Sequence, residues 1–142
     1  MVALVGPLGA GKTVFAKGLA EGLGIDPDAV SSPTFAIAGE YRGAGRRLVH
    51  VDFYRLASRA ELESTGFADW LAPDALVAVE WAERFPEALP ADRLEVAIRR
   101  PDAAASPQRR VLDAVALGDV AAAVLARWQR GLEAAGAAQA GE

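Results

Sequence analysis

The segment from Gly6 to Thr13 has residue types and a spacing that could bind phosphate. It reads G-P-L-G-A-G-K-T and matches the pattern G-x-x-x-x-G-K-[ST], in which a glycine-rich backbone turns its N–H groups around an anion. In such loops a lysine, here Lys12, reaches the β and γ phosphates, and a hydroxyl, here that of Thr13, is a Mg²⁺ ligand. The segment therefore predicts a nucleotide-binding chain that uses Mg²⁺.

Two carboxylates could complete a site for phosphoryl transfer. Asp52 lies near the end of the apolar segment 48–54, and Glu80 follows the apolar segment 75–79. Phosphoryl transfer needs an acidic group near the metal and a group that orients the attacking water or acceptor hydroxyl. The residue types do not decide which carboxylate takes which role, so both assignments stay open at this point.

Several other side chains have two interpretations. Thr34, in the segment S-P-T-F, stands where nucleotide switches carry a threonine that senses the γ-phosphate, although an ordinary turn with proline has the same local pattern. His50 is more typical of a hydrogen-bonded structural histidine than of a general base. Trp81 is expected to pack, and its second interpretation is a contact with nucleotide or a partner. The arginines are numerous, Arg110 among them, and most are expected to be solvated.

The elements that must position these residues alternate between strand and helix. The apolar run 2–5 ends at a glycine and a proline, which is typical of a buried strand, and the apolar spacing over 12–23 predicts a helix directly after the loop. A strand followed at once by a helix is half of a βαβ unit. The carboxyl ends of parallel strands share one edge of a sheet, so Asp52, Glu80 and the phosphate loop are expected to converge there.

The rest of the chain predicts further strands and helices. A strand over 35–41 is expected to be bulged or to lie at a weak edge because of Gly39, and the S-x-x-E pattern that begins at Ser58 predicts a helix from Arg59. Further elements are expected as a short helix over 67–71, strands over 94–98 and 111–116, and a last helix that Asp119 caps and that ends near residue 132. Together they predict an α/β fold, a three-layer P-loop NTPase-like domain with a mainly parallel sheet, some antiparallel strands and helices on both faces.

The composition excludes several classes of site. The chain has 142 residues, 52% of them hydrophobic, which suffices for one domain with a core. It has no cysteine and one histidine, which excludes disulfides and a thiolate nucleophile and argues against a Cys- or His-based metal site. A net charge of −4 argues against direct binding of nucleic acid, and the sequence shows neither a signal peptide nor a long apolar run, so a cytoplasmic protein without membrane contact is expected.

The motifs taken together resemble one family of small bacterial ATPases. In this order and spacing, G-P-L-G-A-G-K-T, S-P-T-F, E-Y, H-V-D-F-Y-R-L and V-E-W are similar to the TsaE (YjeE) family, most densely from Val2 to about Ile98. The resemblance implies an ATPase needed for threonylcarbamoyl modification of the adenosine beside the anticodon in tRNAs that read A-starting codons. It also implies action with the TsaB and TsaD subunits, so that tRNA is contacted only indirectly, through the complex.

Carried over position by position, the resemblance implies roles for individual residues. Thr13 and Glu80 correspond to the Mg²⁺ ligands, Thr34 to the switch threonine, and Asp52 to the carboxylate that supports hydrolysis, while Lys12 completes the catalytic set. The implied ATP-binding residues are those of the loop, namely Gly6, Leu8, Gly9, Ala10, Gly11, Lys12 and Thr13. The separation of roles between Asp52 and Glu80 rests on the resemblance alone.

Two features depart from the family pattern. Pro7 stands where the family commonly has an acidic residue, which is expected to be tolerated because this position is not one of the glycines that admit the phosphates. Family members usually carry a strand and a helix ahead of the strand at Val2. The chain is therefore expected to form one ATPase domain over 1–132 without them, with weakened base recognition and an uncovered sheet face or edge, followed by a disordered tail over 133–142.

Other functions fit the phosphate loop less well. A small-molecule kinase needs a lid, for which the loop over 101–108 between paired arginines is only a short candidate. A GTP switch needs an N-K-x-D segment to recognise guanine, and the sequence lacks one. A scaffold that binds nucleotide without turnover is a further alternative, which differs from the ATPase in that it would not hydrolyse ATP. The kinase is therefore the main alternative to the ATPase.

Overall fold

The computed structural model describes residues 1–102 and 104–140, which form a mixed sheet with helices on both of its faces. Within these residues the strands are β1 (Val2–Val5), β2 (Ala38–Gly43), β3 (Arg46–Asp52), β4 (Ala75–Glu80), β5 (Arg93–Arg99) and β6 (Val111–Leu117). The α-helices are α1 (Lys12–Gly22), α2 (Arg59–Ser64), α3 (Phe67–Trp70) and α4 (Asp119–Ala140). Short 3-10 helices cover Pro27–Ala29, Ala82–Arg84 and Pro86–Ala88.

The sheet is parallel in its centre and antiparallel at its edges. Its strand order is β2-β3-β4-β1-β5-β6, in which β3, β4, β1 and β5 are parallel neighbours. The edge strands β2 and β6 run antiparallel to β3 and β5. The predicted fold class is therefore confirmed. Because β1, β3 and β4 run in the same direction, the segments that follow them meet at one edge of the sheet.

An apolar layer lies between the sheet and the helices α1 and α4. Ala16 of α1 and Ala121 of α4 are buried against Leu4 and Val96, and Phe15 packs edge-on against Trp128 with 5.8 Å between ring centres. The small alanines let the helix backbones approach the sheet closely, which leaves little room for larger side chains at those positions.

A second apolar layer covers the opposite face, beneath α2 and α3. Phe53 is fully buried there and packs edge-on against Phe67 and Phe85, with ring centres 5.3 and 5.7 Å away. Val49 and Val51 of β3 face this layer, so the alternation along the strand sends residues 48, 50 and 52 to the face that α1 covers. His50 and Asp52 therefore share their face with the phosphate loop and its helix.

The helix after β3 begins as the S-x-x-E pattern predicts. The N–H of Glu61 donates to the Ser58 hydroxyl at 3.2 Å, and the Glu61 carboxylate accepts the N–H of Ala57 at 2.7 Å. The carboxylate thus reaches one residue further back than in a standard capping box.

The edge strand β2 differs from the prediction in two respects. It begins at Ala38, and Phe35 is 84% exposed outside the sheet. Gly39 lies opposite His50 in regular antiparallel register, so the bulge expected at this glycine is absent while its predicted edge position is confirmed. The chain turns into the strand at Ile37, whose φ of 69° is rare for a β-branched residue.

The last helix is capped by a different residue and is longer than predicted. Asp119 is its first residue. The N–H groups of Val120 and Ala121, in the first turn of the helix, donate to the carboxylate of Asp92, both at 2.9 Å. The helix continues to Ala140, past the predicted end near residue 132, so the expected tail falls on its last turns and on residues 141–142, outside the described residues. No helix in the described part of the chain is long and apolar enough to cross a membrane.

Candidate functional site

The predicted phosphate loop connects the end of β1 to the start of α1. Its three glycines have positive φ angles, 149° at Gly6, 75° at Gly9 and 112° at Gly11, which other residues rarely adopt. A Cβ atom at Gly6 would lie 2.5 Å from the carbonyl oxygen of Ile98, so the loop also packs closely against β5. These glycines therefore allow a conformation in which successive N–H groups can face an anion.

The ammonium group of Lys12 is held inside this loop. Its Nζ donates to the carbonyl oxygens of Gly6 at 2.5 Å and Pro7 at 3.0 Å, and lies 3.8 Å from the centre of the Trp81 ring. Burial lowers the pKa of Lys12, although the charge of nearby carboxylates, led by Glu80, opposes this shift. The loop thus carries a partly desolvated cation, whose burial an anionic ligand would compensate.

Glu80, at the end of β4, accepts two hydrogen bonds through a single oxygen. Its Oε1 accepts the Thr13 hydroxyl at 2.7 Å and Nε2 of His50 at 2.7 Å. His50 is completely buried and Glu80 is 4% exposed. Because a carboxylate only accepts, this contact places the proton of His50 on Nε2. The two donors hold the carboxylate in one orientation beside the first turn of α1.

Asp52, at the end of β3, lies directly opposite Glu80 in the parallel register. Its Oδ2 accepts the Thr34 hydroxyl at 2.8 Å, and its Oδ1 accepts the N–H of Tyr54 at 2.7 Å. The hydroxyl oxygens of Ser32 and Thr34 are also 2.8 Å apart, so the segment before β2 is tied to Asp52 through its threonine. The structure thereby places Thr34 beside this carboxylate, while its role as a threonine that senses the γ-phosphate stays a prediction.

These groups line one cavity of about 460 Å³ at the carboxyl ends of the central strands. The lining residues are Leu8, Gly9, Gly11, Lys12, Thr13, Val14, Ser32, Thr34, Asp52, Tyr54, Glu80, Trp81 and Arg110. Of the predicted ATP-binding residues, Gly6 and Ala10 shape the loop without lining this cavity. The structure therefore brings the predicted residues together, while their binding and catalytic roles stay predictions.

A cavity of similar volume, about 440 Å³, lies between α1, α4 and the sheet. Its lining is apolar, and it consists of Val2, Phe15, Gly18, Leu19, Leu76, Leu94, Val124 and Trp128. With no titratable side chain it has no group for acid–base or phosphate chemistry. The cavity at the phosphate loop is therefore the candidate functional site.

The donor set of this cavity suits a magnesium nucleotide. Mg²⁺ prefers oxygen ligands and is usually held by one or two protein oxygens together with phosphate oxygens and water. The Thr13 hydroxyl and the Glu80 carboxylate, already in contact, are such donors. The described residues contain no cluster of three or more His, Cys, Asp or Glu side chains that could hold a metal ion.

Trp81 and Arg110 also line the site: Trp81 packs there as predicted, and Arg110 makes a contact that the sequence did not indicate. Trp81, predicted to pack, lies against Lys12 and also against Tyr54, with 5.0 Å between the aromatic ring centres. Arg110, predicted to be solvated, donates from Nε to the carbonyl oxygen of Ala10 at 2.7 Å. A local motif could not have indicated this contact, because 100 residues separate the two positions.

Comparisons with protein families and with curated proteins point to the same family. A family described as "Threonylcarbamoyl adenosine biosynthesis protein TsaE" matches residues 1–111. Among curated proteins, the chain is 44% identical over 100 residues to "tRNA threonylcarbamoyladenosine biosynthesis protein TsaE" of Bacillus subtilis, which covers 70% of the chain and 61% of that protein. It is 40% identical over 121 residues to the protein of the same name in Streptomyces coelicolor, covering 84% of the chain and 81% of the relative.

The extent of these matches varies between relatives. The match to the Haemophilus influenzae protein of the same name is 42% identical over 90 residues and covers 56% of that protein, so the chain spans less than two thirds of this relative and of the Bacillus one. The crystal structure of YdiB from Bacillus subtilis is similar with a TM-score of 0.70 at 33% identity, covering 92% of this chain and 76% of that one. The chain belongs to the TsaE family.

Proposed function

We propose that this chain is a Mg²⁺-dependent ATPase required for threonylcarbamoyl modification of the adenosine beside the anticodon of tRNA. It acts in the cytoplasm with TsaB and TsaD, and it contacts tRNA only through that complex. The threonylcarbamoyl part of this proposal is supported by membership of the TsaE family. The ATPase part is supported by the residues that line the site.

One observation carries the ATPase proposal. The phosphate loop, Lys12 and Thr13 share a single cavity with two carboxylates from adjacent parallel strands, Asp52 and Glu80. A nucleotide-binding loop alone would need only the first three. A pair of carboxylates at the same cavity provides the further groups that phosphoryl transfer to water requires.

The residues of the chain divide into two groups around the phosphates. The loop N–H groups and the Lys12 ammonium bind the β and γ phosphates and neutralise charge as it develops. Thr13 and Glu80 would hold Mg²⁺, and the ion would supply positive charge that lowers the repulsion between the phosphate oxygens and a nucleophile.

Asp52 and Thr34 act on the attacking water molecule. The Thr34 hydroxyl and the Asp52 carboxylate are hydrogen bonded and both line the cavity, where one of them can accept a proton or orient a water molecule. Glu80 is assigned to the metal because it contacts the hydroxyl of Thr13, the other proposed metal ligand. Asp52 is then the carboxylate that orients the attacking water.

The test is Mg²⁺-dependent ATP hydrolysis by the purified chain, alone and with TsaB and TsaD, beside a Lys12→Ala variant. We expect a low rate that the partners raise and that the variant loses. Lys17→Ala, which changes the other lysine of the sequence, is the matched control and is expected to hydrolyse ATP normally. Hydrolysis that is indifferent to Lys12 would contradict the proposed site.

The same assay separates the ATPase from a small-molecule kinase. With γ-labelled ATP, an ATPase releases the label as inorganic phosphate, whereas a kinase transfers it to an added nucleoside or sugar. A rate that the partners do not change would contradict the proposed role in the modification complex while leaving the ATPase assignment in place.

A further inference from the structure

Arg110 connects the hairpin of β5 and β6 to the phosphate loop. It is the residue immediately before β6, and its Nε donates to the carbonyl oxygen of Ala10 at 2.7 Å. Its Nη1 donates to the carbonyl oxygens of Pro107 at 2.7 Å and Arg109 at 3.0 Å. One planar guanidinium therefore bridges the backbone of the hairpin and the backbone of the loop.

The backbone groups around Ala10 can be accounted for one by one. The N–H of Ala10 donates to the carbonyl of Pro7 at 3.1 Å, and the carbonyl of Gly11 accepts the N–H of Phe15 at 2.9 Å as α1 begins. The carbonyl of Ala10 accepts from Arg110. The N–H of Gly11 is thus left without a backbone acceptor among the described residues.

The Ala10 carbonyl and the Gly11 N–H belong to the same peptide group. In a trans peptide these two groups point in opposite directions, so a donor that holds the carbonyl also sets the direction of the N–H. Gly11 has a φ of 112°, and glycine backbones resist rotation weakly, so this peptide needs an external constraint to keep one orientation. A charged donor on the carbonyl also strengthens the N–H as a donor on the other side.

The position of Arg110 agrees with such a constraint. Its Nε would lie 3.7 Å from a Cβ atom at Gly11, so it packs against the loop itself, and the residue lines the candidate site. The guanidinium is already held by the carbonyls of the hairpin and needs no rearrangement to contact the loop.

We propose that Arg110 is a positioning residue of the phosphate loop, which orients the Ala10–Gly11 peptide so that the Gly11 N–H is ready to donate to a phosphate group. The inference rests on the proposed function, because it names a determinant of affinity at the same site. A lysine could supply the charge at this position, but a single ammonium cannot reproduce the planar bridge between the carbonyls of Ala10 and Pro107.

The test compares nucleotide affinity in Arg110→Ala, Arg110→Lys and Arg109→Ala, with a fluorescent ATP analogue as the probe. Arg109 is the adjacent arginine and provides the matched control. We expect both Arg110 variants to bind the probe about tenfold more weakly, the loss typical of one hydrogen bond to a charged group, and Arg109→Ala to bind as the wild type does. The NMR order parameter of the Gly11 amide in the ligand-free protein is expected to fall in both Arg110 variants, because the Ala10–Gly11 peptide loses its constraint.

Each outcome is decisive. Wild-type affinity in Arg110→Ala overturns the proposal, and full rescue by Arg110→Lys overturns it as well, since charge alone would then suffice. A thermal unfolding scan identifies a variant that fails to fold, and the lysine variant with the order parameter of the Gly11 amide then decides. If the wild type binds no nucleotide at all, the proposed function fails instead. If Lys12→Ala weakens binding of the probe and Arg110→Ala does not, only this inference fails.

Discussion

His50 and Glu80 are joined by a hydrogen bond of 2.7 Å between Nε2 and Oε1, across the neighbouring parallel strands β3 and β4. The imidazole is completely buried, and its Nδ1 has no hydrogen-bond partner in the described part of the chain. The histidine therefore acts on the site through Glu80, since its other nitrogen makes no polar contact there. Such a contact orients the carboxylate, as the partners of metal ligands commonly do.

Replacing His50 tests this relationship. His50→Ala leaves the Glu80 carboxylate with the Thr13 hydroxyl as its donor and opens a cavity, so we expect about 2–4 kcal/mol of lost stability. We also expect half-maximal hydrolysis to need about tenfold more Mg²⁺, because the metal ligand is less well oriented. His50→Gln can place an N–H near the former Nε2 and should recover most of the Mg²⁺ affinity. An unchanged Mg²⁺ requirement in His50→Ala would show that the contact is only structural.

Thr34 is expected to affect hydrolysis more than binding. Thr34→Val keeps the shape of the side chain but removes the hydroxyl that donates to Asp52 at 2.8 Å. If this pair orients water, kcat falls about 10- to 100-fold, less than for removal of the proton acceptor itself, with little change in ATP affinity. Steady-state hydrolysis and equilibrium binding measured on the same preparation separate the two effects. Thr34→Ser, which retains the hydroxyl, is the control and should stay close to the wild type.

Lys12 is expected to destabilise the ligand-free chain at neutral pH. Burial lowers its pKa below the ordinary value of 10.5, so between the lowered pKa and 10.5 the unfolded chain binds more protons than the folded one. The contribution of Lys12 to the free energy of unfolding therefore becomes more favourable as the pH rises across that window. Below the window both states are protonated and the full cost of burying the charge is present.

Lys12→Met removes this cost and should raise the Tm at pH 7 by a few degrees, while nucleotide binding is lost. The difference in Tm between variant and wild type should shrink as the pH approaches 10.5. Thermal unfolding at several pH values measures it, with Lys17→Met as the control for loss of a lysine elsewhere on α1. A variant that is less stable than the wild type at pH 7 would contradict the prediction.

Asp92 is expected to contribute to stability through α4. Asp92→Ala removes the acceptor of two N–H groups in the first turn of the helix, which should lower the free energy of unfolding by about 0.5–2 kcal/mol. Asp119→Ala should cost less, since Asp119 is the first helical residue and the cap is supplied by Asp92. Chemical denaturation of the two variants compares them, and a larger loss in Asp119→Ala would restore the sequence-based assignment of the cap.

Local patterns in the sequence were sufficient for the features that depend on neighbouring residues. The conformation of the phosphate loop follows from glycines and a lysine within eight positions, and the start of α2 follows from Ser58 and Glu61, three residues apart. Apolar runs likewise predicted the buried strands β1, β3 and β4, because residues in a strand buried on both faces have little choice of type.

Only the tertiary structure decided which distant groups meet. Strand order and register place Asp52 beside Glu80 and leave Gly39 in a regular pair with His50, neither of which a single segment specifies. The same holds for Asp92, which displaces Asp119 as the cap of α4. A side chain is satisfied by whichever partner packing brings within about 3 Å, so its contacts depend on the whole fold.

Arg110 is a residue whose role local sequence patterns could not predict. Nothing near it in the sequence distinguishes it from Arg109, and its contact with Ala10 exists because β5 lies beside β1 and returns as β6. The residue types and their spacing thus determined the fold class and predicted a loop that binds phosphate. The packing of the sheet decided which arginine and which acidic cap take part and which carboxylate the single histidine contacts, because hydrogen bonds form between groups that the fold brings together in space.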